Sequence, residues 1–268
     1  MAQLARSRGV HALVGLQACC APSINYLRDV IRDGYVGKVL STSIIGSGVG
    51  WGAVIDIDSA YSADKSHGAT LTTVPFAHAT DALSHVLGEF REVTATRALR
   101  CGEFELARAG EIAPMTPEDQ LAVAGILESG AVACVHFRGG TTRGGTELLW
   151  EINGTEGDIQ ITAAAGLVQM VPLTLTGARA DRRTMEPLCV PHRYHHVAEN
   201  MGAMVRNIAE AYWWLAQDIS MGSRQCPSFD EGMARHRMLA SVERAADTGR
   251  PQTLRFSRLS ESEQRGYS

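Results

Sequence analysis

The chain has 268 residues, of which 45% are hydrophobic and 20% charged, and its formal net charge at pH 7 is −4. This composition is typical of a globular protein with a substantial core, and the charge provides no basic surface for nucleic acid or an anionic membrane. No stretch approaches the ~20 apolar residues of a membrane span, and no signal segment opens the chain. We therefore expect a cytoplasmic protein with no nucleic-acid or membrane partner.

The first predicted elements are a short helix and a short strand. Residues 2–8 favour a helix that ends at Gly9, and the apolar run 10–16 predicts a strand of a parallel sheet. Together they are typical of the end of a dinucleotide-binding domain, whose phosphate-binding glycines stand on its first strand. We therefore expect residues 1–36 to be a remnant of such a Rossmann-type α/β domain.

The next segments alternate between helix and strand. The periodicity predicts a helix over 22–34 and a strand over 39–45, which the glycine series 46–52 would end in a flexible loop. A helix over 80–87 that stops at Gly88 and a strand over 93–99 follow.

The middle of the chain has the pattern of an antiparallel sheet. Short β-rich segments are separated by the hairpin turns ESGA and NGTEGD; these segments are LAVAGIL, AVACVHF, TELLWEI, GDIQIT and LVQMVPLTL. We predict an α+β fold, in which an open, mostly antiparallel sheet covered by helices occupies residues 37–254. Because an open sheet exposes a flat face, we expect a homodimer through that face.

The C-terminal part returns to helix. Helices are predicted over 197–218 and 229–248, the second with Ser228 and Glu231 as a capping box and Gly249 as its end. The tail after Leu254, residues 255–268, is polar, and we expect it to fray. The six cysteines form no C-x-x-C pair, so we expect reduced, mostly buried thiols without a chemical role.

His78 and Asp81 are the strongest candidates for chemistry. They are spaced i, i+3 at the start of a predicted helix, so both side chains can face one cavity, where the histidine moves a proton and the aspartate holds a hydroxyl. The alternative is purely structural: Asp81 supports the first helical turn, and His78 is satisfied within a cap.

The remaining polar candidates are weaker. His195 and His196, in the sequence HRYHH, are typical of a polar loop at a substrate mouth, and no nearby ligand set completes a metal site. Arg138 and Arg143 flank the glycines of FRGGTTRGG and either bind an anionic substrate or belong to a hairpin loop. The aromatic cluster formed by Trp213 and its neighbours in YWW favours core or dimer packing.

The loop GSGVGWGA formally matches the dinucleotide fingerprint G-x-G-x-x-A at Gly48, Gly50 and Ala53. The residues that follow are β-branched and acidic rather than helical, so no helix N-terminus is expected to receive a pyrophosphate. We interpret the segment as a loop, and no residue of the chain is predicted to bind a cofactor.

The chain resembles the Gfo/Idh/MocA oxidoreductases and, among them, the branch similar to the galactose-pathway transcriptional repressor. The resemblance rests on several blocks that together cover nearly the whole chain, at residues 14–48, 68–90, 152–161 and 227–250. It implies a protein that carries NAD or NADP on a Rossmann domain and binds its substrate on a second domain, whose open sheet forms the dimer.

The resemblance also exposes two departures. The family's N-terminal glycine fingerprint and its Glu-Lys-Pro motif are absent from this sequence, which is therefore expected to be N-terminally truncated and not to bind NAD or NADP by itself. The family often places an aspartate four residues before the catalytic histidine that matches His78, and Val74 stands there instead.

Three functions follow as hypotheses. The first is an oxidoreductase-family protein that acts on a hydroxylated or carbonyl small molecule, such as a sugar, a polyol or a specialised metabolite, with an incomplete redox half. The second is a cofactor-free enzyme that catalyses proton transfer, elimination or cyclisation in the same pocket. The third is a non-enzymatic, repressor-like binding protein.

Overall fold

The computed structural model describes residues 1–198 and 200–254; the predicted polar tail lies outside them. The described residues form five α-helices, which we number in chain order: α1 (Ala2–Ser7), α2 (Pro22–Arg32), α3 (Ala77–Leu87), α4 (Ala203–Met221) and α5 (Phe229–Thr248).

The strands form a large sheet and a small one. The twelve strands described are β1 (Val39–Gly48), β2 (Val54–Ile55), β3 (Phe90–Ala98), β4 (Glu103–Leu106), β5 (Glu111–Pro114), β6 (Gln120–Leu127), β7 (Val132–Gly139), β8 (Leu148–Gly154), β9 (Gly157–Ala163), β10 (Thr174–Arg179), β11 (Glu186–Pro187) and β12 (Gln252–Thr253). The large sheet has nine strands in the order β11-β10-β9-β8-β1-β7-β6-β3-β12. Within it β1 runs parallel to β7, and the other neighbouring pairs described are antiparallel. The predicted α+β class with an open, mostly antiparallel sheet is confirmed.

The two faces of the large sheet differ because side chains alternate along each strand. One row, formed by Ile44, Val123, Val135 and Trp150, is buried against α2, α3 and α5. The next row faces outward; it contains the small, uncharged residues Thr94, Ala124, Cys134 and Ser43 and continues into Glu151. The sheet therefore has a covered inner face and an uncovered outer face.

The hydrophobic core continues into the N-terminal part of the chain. Ile24 and Leu27 of α2 are fully buried in the same cluster as Leu83 of α3 and Val242 of α5. This packing fixes α3, which carries both His78 and Asp81, between α2 and the sheet. The predicted division of the chain at residue 36 stays a prediction.

Several predicted elements are confirmed. The helix over 229–248 has the predicted bounds, and its capping box is present, with Ser228 Oγ accepting from the Asp230 amide and Glu231 accepting from the Ser228 amide. Helix α3 stops at Gly88, whose φ of 90° lies outside the helical region. The turns ESGA and NGTEGD connect β6 to β7 and β8 to β9.

Three predicted segments differ from the structure. The run 10–16 is not a strand of a sheet, since Leu13 forms only an isolated antiparallel bridge with Ser228. Helix α4 begins at Ala203 rather than at 197, because the amides of His196 and Val197 point to the Glu210 carboxylate. The segment 167–175 becomes strand only from Thr174, because residues 167–170 turn back on themselves.

The glycine series was predicted to be a flexible loop, and the structure contradicts this. Strand β1 continues through Gly48, and Gly50 and Trp51 are buried. A Cβ at Gly52 would overlap Gly140, so the absence of a side chain at Gly52 allows these two backbone segments to approach each other closely.

The prediction of mostly buried thiols is also wrong for part of the set. All six cysteines are free, but Cys101, Cys134 and Cys189 are exposed. Cys134 is exposed because its register position places it on the uncovered face of β7.

Candidate functional site

The local structure around His78 is set by an irregular turn. Residues Thr72–Phe76 form a π-helical turn that contains Pro75, and α3 follows directly. Proline has no amide hydrogen to donate, so it fits where the regular hydrogen-bond pattern is interrupted. Thr80 Oγ1 donates to the Phe76 carbonyl at 2.8 Å and secures the transition. His78 thus lies in the first turn of α3.

His78 has an unused ring nitrogen. The residue is half-buried, and its Nδ1 atom is buried without a hydrogen-bond partner among the described residues. Burial lowers the pKa of His78 to about 4, so the ring is neutral near pH 7. A neutral imidazole offers one donor and one acceptor, and the two nitrogens take these roles according to the tautomer.

Asp81 is engaged elsewhere. Its side chain accepts from Cys19 Sγ at 2.8 Å and lies 3.6 Å from Arg235 Nε. Burial raises the pKa of Asp81 to about 6, although the hydrogen bond from Cys19 and the charge of Arg235 act in the opposite direction. No hydrogen bond joins His78 to Asp81 in the part of the chain that the structure describes. A role for Asp81 in holding a substrate hydroxyl stays a prediction.

The residue four positions before His78 supplies no acid. Val74 is partly buried and packs against the core. His78 therefore has no carboxylate hydrogen-bonded to its ring within residues 1–198 and 200–254.

The two predicted arginines differ in environment. Arg138, half-buried on β7, has a buried Nε atom without a hydrogen-bond partner among the described residues. Its charge acts on Glu147: burial opposes ionisation of that carboxyl, but hydrogen bonds from Ser47 and Thr142 and the Arg138 charge outweigh it and lower the Glu147 pKa. Arg143 is exposed in the loop after β7.

The two predicted histidines before α4 also differ. His196 is held by Glu210, which accepts from the His196 amide at 2.9 Å and lies 2.8 Å from His196 Nδ1. The His196 ring stacks on Trp213 with ring centroids 3.8 Å apart, and Trp214 meets both rings edge-on. His195 is half-buried, and its Nδ1 atom has no hydrogen-bond partner among the described residues. His195 therefore resembles His78, whereas the His196 ring is held by Glu210 and Trp213. A role of either histidine in binding a substrate stays a prediction.

Sequence reasoning missed Glu210. It is fully buried on α4 and anchors the loop that carries His195. Asn207, one turn earlier on the same face, donates to the Gln169 carbonyl at 2.9 Å. The available signal was that Asn207 and Glu210 are three positions apart, on one face of α4 beside apolar neighbours.

The glycine segment after β1 does not fit the pyrophosphate of a dinucleotide. A pyrophosphate site needs free backbone amides at a strand-to-helix turn. The segment from Gly48 to Ala53 instead forms a single 3-10 turn, Val49–Trp51, which packs Trp51 into the core and leads into the short strand β2 rather than into an α-helix. The absence of a nucleotide site from this chain stays a prediction.

The described residues offer neither a metal-binding cluster nor a membrane-spanning helix. They contain no group of three or more His, Cys, Asp or Glu side chains placed to hold a metal ion. None of their helices combines the length and apolar character that crossing a bilayer requires.

The chain matches a known protein family over more than half of its length. Residues 22–163, more than half of the chain, match the family described as the Gal80p C-terminal domain. The chain belongs to the Gal80p C-terminal-like family. This match includes α2, α3 with His78, and the strands from β1 to β9.

Relatives of this Gal80p C-terminal-like chain include both an enzyme and a regulator. The dehydrogenase aclE of Aspergillus oryzae is 24% identical over 273 residues, covering 96% of this chain and 68% of the relative. The galactose/lactose metabolism regulatory protein GAL80 of Saccharomyces cerevisiae is 31% identical over 190 residues, covering 66% of this chain and 43% of the relative. The matched region is thus less than half of the regulator.

Solved structures that resemble this chain also include both a regulator and an enzyme. A super-repressor mutant of Gal80p from Saccharomyces cerevisiae superposes with a TM-score of 0.80 at 25% identity, covering 94% of this chain and 67% of that chain. A levoglucosan dehydrogenase in complex with NADH and L-sorbose shares the fold, with a TM-score of 0.73 at 20% identity over 92% of this chain and 67% of that chain. The predicted resemblance to Gfo/Idh/MocA oxidoreductases and their repressor-like branch is confirmed.

Proposed function

We propose that this protein acts on a small hydroxylated or carbonyl metabolite, such as a sugar or a polyol, and that His78 is the residue that meets the substrate hydroxyl. The observation that carries the proposal is the neutral ring of His78, whose buried Nδ1 has no partner among the described residues. A buried polar atom without a partner is costly, and a substrate hydroxyl that bonds to it recovers that cost.

The low pKa of His78 favours hydrogen bonding over proton uptake by its ring near pH 7. A ring with a pKa of about 4 is neutral at pH 7, as an acceptor must be, but it is a weak base. It orients a hydroxyl by hydrogen bonding and takes the proton only when the reaction makes that hydroxyl acidic. No carboxylate is hydrogen-bonded to the His78 ring among the described residues, because position 74 is a valine and Asp81 bonds to Cys19. These residues therefore support hydroxyl binding more strongly than independent acid–base catalysis.

The family resemblance assigns the redox half of such a reaction to NAD or NADP. The packed glycine segment does not fit that nucleotide, so we derive no hydride-transfer step for this chain. Calorimetric titration with NADH and NADPH tests the point directly. Saturable binding of either nucleotide would show that this chain supplies a nucleotide site that its packed glycine segment does not predict.

A ligand panel tests the role of His78. Aldoses, polyols and small ketones are titrated against the wild type, His78→Ala and a matched control, His236→Ala, which alters an exposed histidine of α5. We expect a bound panel member to lose about tenfold or more in affinity in His78→Ala and nothing in the control. Equal affinity in His78→Ala, with an unchanged melting temperature, would remove His78 from the site.

The second candidate is a binding protein without turnover. It is favoured by the 31% identity to a galactose/lactose regulator and by the absence of a carboxylate on the His78 ring among the described residues. The same panel separates the candidates, since a regulator binds its ligand without converting it. A cofactor-free enzyme would instead convert a bound panel member when no nucleotide is added.

The uncovered face of the large sheet supports the predicted homodimer. Ile45 is 39% exposed and Val132 is 57% exposed on this face. The row from Thr94 through Ala124 and Cys134 to Ser43 is small and uncharged, and Glu151 lies beyond Ser43. A flat face of this kind buries well against a second copy. Sedimentation of Val132→Glu should show a monomer where the wild type is a dimer, and a monomeric wild type would contradict the proposal. A cytoplasmic location also stays a prediction.

A further inference from the structure

A polar cavity lies apart from His78. It has a volume of about 230 Å³ and lies between α3, α5 and the segment 224–227. Its wall includes Asp81 and Ser84 of α3, Glu89 just after α3, Arg235 from α5, and Arg224. His78, Arg138, His195 and His196 are not part of this wall.

One buried cation of the wall, Arg235, is shared by two of its three carboxylates. The Arg235 side chain is 6% exposed; it donates to Ser84 Oγ at 2.9 Å, forms a short ion pair with Glu89 Oε1, and lies 3.6 Å from Asp81. Glu231 is occupied by the capping bond at Ser228. These groups stabilise the wall itself rather than a ligand.

Two groups on the wall remain uncommitted. Glu89 Oε2 is buried and has no hydrogen-bond partner among the described residues, although Oε1 of the same carboxylate is paired. Arg224 is exposed at the cavity rim, with no ion pair among the described residues. The cavity therefore presents one free acceptor in its wall and one free cation at its rim.

The remaining wall groups add no competing charge. Burial and the Arg28 charge lower the pKa of His85 to about 4, so its ring is neutral near pH 7. Burial raises the pKa of the Cys19 thiol, which donates to Asp81. Neither group offers a charge that would attract or repel a small ligand near pH 7.

We propose that this cavity binds a small carboxylate that also carries a hydrogen-bond donor, that is, a hydroxy acid or an amino acid. The ligand carboxylate pairs with the Arg224 guanidinium, which forms charge-assisted bonds. The hydroxyl or ammonium group donates to Glu89 Oε2, the acceptor that the fold leaves unsatisfied. Both interactions are required, because the rim and the wall each provide only one of them.

Calorimetry with matched probes tests the chemistry. Glycerate and serine carry both groups, propionate carries only the carboxylate, and glycerol carries only hydroxyls. We expect glycerate or serine to bind at least about tenfold more tightly than propionate or glycerol, because each missing charge-assisted bond costs that much. Which of the two binds more tightly distinguishes a hydroxy-acid site from an amino-acid site.

Two variants locate the binding. Arg224→Gln removes the rim charge at an exposed position, so the fold is retained, and we expect about tenfold weaker glycerate or serine binding. Arg183→Gln alters another exposed arginine outside the cavity and should change nothing. His78→Ala should also leave this binding unchanged, which separates a failure here from a failure of the proposed function.

Several results would overturn the proposal. They are the absence of saturable heat at millimolar glycerate and serine, equal binding of all four probes, and unchanged binding in Arg224→Gln. The first result would indicate a cavity that holds only water.

Discussion

Asp81 gives a prediction whose magnitude follows from its burial. Its side chain is 5% exposed, and its pKa is raised to about 6, against about 3.9 in an unfolded chain. Between these values the folded state binds more protons than the unfolded state, so the contribution of Asp81 to stability is present below about pH 4 and is lost as the pH rises through 6. At about 1.4 kcal/mol for each pKa unit, the loss between pH 4 and 7 is about 2 kcal/mol.

Asp81→Asn removes this dependence, because the amide stays neutral at every pH. Urea unfolding of the wild type and the variant between pH 4 and 7 measures it. We expect the stability of the wild type, relative to the variant, to fall by about 2 kcal/mol across this range. Other titrating groups, including His78 and His85, are present in both proteins, and their contributions cancel in the difference.

Asp181→Asn is the matched control, since Asp181 is exposed. Its difference from the wild type should stay constant with pH. A constant difference for Asp81→Asn as well, within about 0.5 kcal/mol, would refute the reasoning. It would show that the Cys19 and Arg235 contacts compensate fully for the burial of the carboxylate.

Three further changes test the packing around the candidate sites. Gly139→Ala places a Cβ against the Trp51 carbonyl and should destabilise the protein by about 1–3 kcal/mol in urea unfolding, whereas Gly144→Ala meets no atom and should be neutral. Ser228→Ala removes the cap of α5 and should lower the free energy of unfolding by about 1 kcal/mol, while a loss below about 0.2 kcal/mol would contradict the capping geometry. Glu210→Leu leaves the His196 amide unpaired and should cost about 2–4 kcal/mol by thermal unfolding, with Glu210→Gln milder; equal losses would show that shape rather than hydrogen bonding matters.

The candidate site was only partly predictable. The spacing of His78 and Asp81 placed both on the first turns of a helix, and this is correct. It did not show that Asp81 turns to Cys19 and Arg235, because those partners are 62 and 154 positions away along the chain. The same limit hid Glu210, whose partner His196 is 14 positions away.

The sequence by itself determined the elements whose signals are local. The capping box at Ser228, the stop at Gly88, the hairpin turns and the alternation along the strands act within a few residues, so they predicted α5, the end of α3 and the antiparallel sheet. Only the tertiary structure decided the packing of the glycine segment and the separate environments of His78 and Asp81. These depend on contacts between distant segments, and the burial that shifts both pKa values exists only once those segments meet.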